Sequence, residues 1–147
     1  MKAEKMTKDG VTFAIVVRST DWEEGTHFVT SNEDYQQVGF WGYDKGHKSA
    51  AHVHLDRPRE IPCTQETIFV KQGSLKFDFY GEDKKIFKSV HLKAGDALVL
   101  LNRGERGVAH GAEVLEDNTK FLEVKIGPFA GAQEDRKRIF EEKNLDI

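Results

Sequence analysis

The chain has 147 residues, with 22 Lys plus Arg against 25 Asp plus Glu and a formal net charge of −3. That length is enough for one domain with its own core, and the scattered, nearly balanced charge leaves no electrostatic footprint for nucleic acid. A single cysteine, Cys63, excludes an internal disulfide, and no apolar run approaches the ~20 residues of a membrane-spanning helix, so a cytoplasmic protein bound to neither nucleic acid nor membrane is expected.

Apolar segments are short, β-branched or aromatic, and separated by Gly, Asn and Asp about every ten residues, which predicts an all-β sandwich or barrel. Strands are expected at 11–17, 26–30, 36–43, 50–55, 64–72, 74–80, 86–93, 97–101, 108–115 and 120–126. The first, Val11 to Val17, is β-branched and runs straight into Arg18, and so reads as a strand rather than a signal segment. In 74–80, Leu75, Phe77 and Phe79 alternate with Lys76, Asp78 and Tyr80, giving one buried and one wetter face. Gly81 to Lys84 makes a hairpin connection, and Lys93 to Asp96 a second turn before the continuous apolar run Ala97 to Leu101, which suits a strand buried on both sides. Leu55 to Cys63 contains Pro58 and Pro62 and reads as a loop. Residues 131–143 allow one short C-terminal helix, although Arg138, Ile139 and Phe140 equally suit a sheet edge.

His52 and His54 flank Val53. In a strand, residues two apart share a face, so two imidazoles ~6.7 Å apart can converge on one ion. Taken alone, the pair is an ordinary strand with two solvent-facing histidines. Gly46 before it, and Glu66 and Gly73 after it, shift the reading to a metal site, since a carboxylate pointing into a β-barrel needs a cation to offset its desolvation. With His110 the donor set is three imidazoles and one carboxylate, suited to one divalent Fe, Mn, Ni or Zn ion. His27, His47 and His91 lack such a frame and are expected to face solvent.

These residues resemble the first motif of the cupin superfamily, in which a Gly, five residues, His-x-His, a spacer, Glu, six residues and a Gly succeed one another. Gly46, His52, His54, Glu66 and Gly73 satisfy both outer spacings, while the spacer of eleven residues between His54 and Glu66 exceeds the usual three or four. The second motif, from Gly95 to His110, lacks its proline and carries an insertion. Gln37-Val38-Gly39, Arg59, Thr64-Gln65-Glu66, Asp78-Phe79-Tyr80, Glu113 and Glu123 to Phe129 carry the resemblance further, to small bacterial cupins related to the WbuC-like and sugar-isomerase groups, often found in surface-polysaccharide gene clusters. The resemblance implies one jelly-roll β-barrel domain over residues 1–147 with its barrel core at about 36–126, and a place in polysaccharide biosynthesis.

A four-ligand site on an octahedral ion leaves two positions for water, dioxygen or a chelating substrate. Arg59, with Arg57 beside it, is placed to clamp a carboxylate or phosphate at the barrel mouth. Thr64 shares the face of Glu66, whereas Gln65 points away from it. Gln37 and Tyr43 share a face of the strand before the motif and can reach a substrate, and Asp78 with Tyr80 offers an acid/base pair if that face lines the cavity. Cys63 has no expected base and is not assigned a catalytic role. The expectation is a metal-dependent enzyme, an isomerase or oxygen-dependent oxidoreductase, acting on a small polar or sugar-derived metabolite. The alternative is a non-catalytic metal- or saccharide-binding module. A homodimer is expected because cupin-like sheets expose edges that need cover.

Overall fold

Period-two alternation sets most of the strands. In the computed structural model, which describes residues 1–103 and 107–140, these are β1 (Glu4–Lys8), β2 (Val11–Val17), β3 (Gly25–Phe28), β4 (Gly39–Gly42), β5 (Glu66–Gln72), β6 (Ser74–Tyr80), β7 (Ile86–Lys93), β8 (Ala97–Leu100), β9 (Ala109–Val114) and β10 (Lys120–Lys125). They pair antiparallel into a five-stranded sheet of order β1-β2-β8-β5-β10, a three-stranded sheet of order β7-β6-β9, and the β3-β4 hairpin. The protein is therefore all-β, with one short α-helix, α1 (Ala132–Asp135), and one 3-10 turn at Ser19–Asp21 among the described residues. None of the described helices is long and apolar enough to cross a membrane.

The core forms between the two larger sheets. Ala14 and Val16 of β2, Leu98 and Leu100 of β8, and Ile68 and Val70 of β5 face Leu75, Phe77 and Phe79 of β6 and Val90 and Leu92 of β7. Phe13 closes one side, its ring edge-on to Phe79 at 5.0 Å. The intervening residues Ile15, Val17, Ala97 and Val99 point the other way and are buried too, beneath Phe40 of the hairpin and its flanking Val29 and Val38. Cover on both faces explains why β2 and β8 read as unbroken apolar runs. Each fully buried side chain of this kind contributes roughly 1.5–3 kcal/mol, and truncating Phe79 to Ala would cost about 3–5 kcal/mol.

Gly73 makes the tight turn from β5 to β6. Its φ is +75°, and a Cβ there would lie 2.2 Å from the Thr119 hydroxyl, so both conformation and space require glycine.

One side of the sandwich is open. Ala112 and Val114 of β9 pair with Phe77 and Leu75 and so share the inner face, yet both are exposed. β10, the outer strand of the facing sheet, is exposed at every position from Lys120 to Lys125.

Several expectations change. The strand expected at 50–55 does not form: residues 43–62 are an irregular, wholly exposed arm between β4 and β5. Alternation alone cannot hold a strand that pairs with no edge. β1 was not expected, because only Met6 of its five residues is buried. The expected helix is limited to Ala132–Asp135 among the described residues, Arg138 to Phe140 add to no sheet, and positions 141–143 lie outside the described residues.

Candidate metal centre at the open edge

Glu66 opens β5 on the face that carries Ile68 and Val70, opposite Leu100 on one neighbour and Lys125 on the other. Its side chain is 18% exposed and points into the gap between the sheets. His110 reaches the same gap from β9, where it pairs with Phe79. Its Nε2 lies 3.3 Å from Glu66 Oε2 and its Nδ1 3.2 Å from the Val108 carbonyl oxygen. With an acceptor beside each nitrogen, the ring is best satisfied as an imidazolium donating both protons. Burial pulls the His110 pKa down, but the hydrogen bond and charge of Glu66, the Val108 carbonyl and the charge of Glu123 outweigh it, leaving the pKa above its ordinary value. A raised histidine pKa means this stabilisation is complete below the ordinary value and is lost as pH rises through the raised one.

Lys125 completes the group. Its Nζ stands 3.9 Å from Glu66 Oε1 and 3.3 Å from Glu123 Oε1, and 5.6 Å from the centre of the Phe129 ring. Lys125 and His110 thus supply the positive charge that Glu66 needs. A metal ion is thus not required to offset this carboxylate, contrary to the expectation from sequence.

His52 and His54 lie on the exposed arm, away from any sheet. Their rings are 5.1 Å apart at 73°, and His52 Nδ1 is 3.0 Å from the Ala50 carbonyl oxygen. The four predicted ligands therefore meet as two pairs, His52 with His54 and Glu66 with His110. Among the described residues no three His, Cys, Asp or Glu side chains converge in a way that would hold a metal ion. The donor set fits a divalent transition metal in kind. Eleven residues lie between His54 and Glu66, and at ~3.3–3.6 Å per residue such a tether spans up to ~40 Å, ample for the arm to reach the gap.

The remaining candidates scatter. Thr64, two residues before β5, is half-buried and donates its hydroxyl to Asp135 of α1 at 2.9 Å, which turns it from the gap. Gln37 donates to the carbonyls of Ser31 and Asp34 at 2.7 and 3.0 Å, pinning its own loop. Tyr43 is exposed, stacks on His47 at 3.6 Å and shares a 2.9 Å hydrogen bond with Thr26. Asp78 and Tyr80 lie on the outer face of the three-stranded sheet, opposite the gap, because the inner positions of β6 are 75, 77 and 79. There Asp78 accepts from Ser89 at 2.5 Å and pairs with Lys76 at 3.1 Å, which removes it as a general base in the gap. Arg59 and Arg57 are exposed on the arm. His27 is half-buried, its Nε2 2.8 Å from the Glu24 carbonyl oxygen, while His47 and His91 face solvent as expected.

Lys125 and Glu123 had no site role expected from the sequence. Alternation along 120–126 groups 121, 123 and 125 on one face, and the pairing of β10 with β5 makes it the face of Glu66. Asp34 likewise had none, and its carboxylate is buried and bound by Arg103, with Nε at 2.7 Å. Comparison with protein-family models, curated proteins and solved structures finds no match for the chain.

Proposed function

We propose that the chain is a mononuclear metal-dependent protein of the cupin type, an enzyme that isomerises or oxidises a small polar or sugar-derived metabolite. The observation that carries this reading is the Glu66–His110 pair, two metal donors from facing sheets in contact at an open mouth. The arm brings the other two. When residues near 50–55 close against the uncovered margin along β9, His52 and His54 approach Glu66 and His110, and the jelly roll is completed. One divalent Fe, Mn, Ni or Zn ion held there would supply Lewis-acid polarisation of a substrate oxygen. Glu66 would contribute its carboxylate, His110 a neutral imidazole after losing its proton, and Lys125 a mobile counter-charge. Arg59 travels with the arm and would grip an anionic or hydroxyl-rich substrate group.

A metal-free binding module is favoured by one specific feature: Lys125 and His110 already neutralise Glu66 without any ion. The cytoplasmic setting rests on the unpaired Cys63. A homodimer rests on β10, an edge strand exposed along its length, and sedimentation at micromolar concentration tests it.

The deciding experiment is calorimetric titration of chelator-treated protein with Mn(II), Ni(II) and Zn(II). Saturable uptake of one ion per chain, weakened at least tenfold in both Glu66→Ala and His52→Ala, is the expected result. Uptake unchanged in both variants would dismiss the assignment, and absence of uptake would favour the metal-free module.

A further inference from the structure

β10 ends the five-stranded sheet with a free edge. The Ile126 N–H donates to the Gln65 carbonyl at 3.2 Å. Bonded residues alternate along an antiparallel ladder, so 122, 124 and 126 turn their backbone groups toward β5, while 121, 123 and 125 turn theirs away from it. Both faces of the strand are uncovered as well. Phe121 (37% exposed), Glu123 and Lys125 lie on the inner face, which opens on the candidate site, and Leu122 (57%) and Val124 (44%) on the outer one. The outer strands on the other side of the sandwich are defended. β1 carries Lys5 and Lys8 and a bulge between Met6 and Thr7, and β7 carries Lys88 and Lys93 and a register shift where it passes Phe79 and Tyr80 of β6. Lysines and bulges are the usual means of blocking edge-to-edge pairing. β10 pairs without a break from Phe121 to Lys125.

A strand with one apolar and one charged face pairs with its own copy only in a register that suits both. A two-fold axis perpendicular to the sheet keeps like faces together, so residues of equal parity stand opposite one another. Centred on 123, it opposes two carboxylates, and centred on 125, two ammonium groups. Centred on 122, it sets Glu123 against Phe121 and Val124 against Lys120. Centred on Val124, it sets Glu123 opposite the partner's Lys125 twice over on the inner face, while on the outer face Leu122 meets the partner's Ile126 and Val124 the partner's Val124. Opposite charges and apolar pairs in directly opposed positions stabilise a sheet, and like charges there destabilise it. The same register places 123 and 125, whose backbone groups are free, in hydrogen-bonded pairs.

From this complementarity we infer that β10 pairs with β10 of a second copy about a two-fold axis through Val124, joining two five-stranded sheets into one and bringing the partner's Lys125 to the mouth of the candidate site. Each Glu123, already 3.3 Å from its own Lys125, then lies between two ammonium groups, and the partner strand walls the side of the gap that is open along β10. The inference rests on the homodimer reading given above and adds its register; it needs no bound ion.

Two measurements on the chelator-treated full chain test it: sedimentation equilibrium at micromolar concentration, and disulfide trapping by copper phenanthroline in a Cys63→Ser background. Directly opposed residues of a non-hydrogen-bonded pair have Cα atoms about 4.5 Å apart, within the ~4.4–6.8 Å span of a disulfide, so Val124→Cys should crosslink into a dimer. In that register the copies of residue 123 lie about 9 Å apart and those of residue 122 about 14 Å, so Glu123→Cys and Leu122→Cys should crosslink at least tenfold more slowly. Glu123→Lys and Lys125→Glu, each checked for an unchanged circular dichroism spectrum, should weaken dimerisation about tenfold or more. The double variant Glu123→Lys/Lys125→Glu should recover it to within about threefold of wild type, because the pairs re-form with their signs exchanged. A monomeric wild type overturns the homodimer and the register with it. A dimer that crosslinks faster through 122 or 123, or whose charge reversals are not rescued by the double variant, overturns the register alone, and neither result bears on ion uptake by Glu66 and His110.

Discussion

Glu66 Oε2 and His110 Nε2 stand 3.3 Å apart, joining the first residue of β5 to the second of β9 across the gap between the sheets. The ammonium of Lys125 is 3.9 Å from the other oxygen of the same carboxylate, so any cation entering the gap competes with one already there. Lys125→Met should therefore raise affinity for Mn(II) or Zn(II). Two charges ~4 Å apart interact by ~1–4 kcal/mol between bulk-water and protein-surface screening, and the partial exposure of Lys125 puts the gain near the low end, about three- to tenfold. Calorimetric titration of the variant beside wild type checks this. Equal or weaker affinity would mean that Lys125 does not oppose the ion.

Asp34 should contribute to the acid limit of stability. Burial raises the pKa of its carboxyl, but hydrogen bonds from Arg103 and Ser31 and the Arg103 charge overcome that and hold it below the ordinary value. A depressed carboxyl contributes stability that is present above the unfolded-state pKa of about 3.9 and is lost as pH falls through the folded value. Arg103→Ala should destabilise the fold by about 2 kcal/mol, less than the ~3–5 of a fully buried pair because the guanidinium is partly exposed. Urea unfolding across the acid range should show the wild-type stability falling toward that of the variant.

Thr64 anchors α1 rather than the metal donors. Thr64→Val should leave metal content unchanged and lower stability by about 0.5–1.5 kcal/mol, the worth of one hydrogen bond. Faster hydrogen exchange at Ala132–Asp135 is the local sign of the same loss, and a fall in metal content would return Thr64 to the site.

Arg59 is exposed on the arm, without an ion pair among the described residues. Arg59→Ala should change stability by less than about 0.5 kcal/mol, as surface substitutions do, while weakening a metal-site ligand by roughly 1.5–3 kcal/mol. Arg59→Lys should recover only part of the affinity, because a point charge does not reproduce the guanidinium fork. Denaturation curves and ligand titration on the same samples separate the two effects.

Strands whose burial pattern is set by their own alternation were legible. The expected 11–17, 74–80 and 86–93 coincide with β2, β6 and β7, and 97–101, 108–115 and 120–126 overrun their strands by one or two residues. Residues 50–55 failed because a half-polar strand such as His52-Val53-His54-Leu55 exists only where an edge accepts it, a tertiary fact. β1 was hidden for the converse reason: Glu4 to Lys8 is a polar strand held by pairing with β2, not by its own apolar content. At the site, the spacing pointed to Glu66 and His110, which do meet. It could not reveal Lys125, whose role depends on β10 lying beside β5.

If Glu66, His110 and the arm histidines together hold one metal ion, the purified protein carries it. Elemental analysis by mass spectrometry of protein purified without added metal tests it most directly. Close to one transition-metal ion per chain in the wild type and severe loss in His52→Ala and Glu66→Ala, with both variants still folded, is the expected result. Wild-type protein free of metal, or full occupancy retained in both variants, would contradict it.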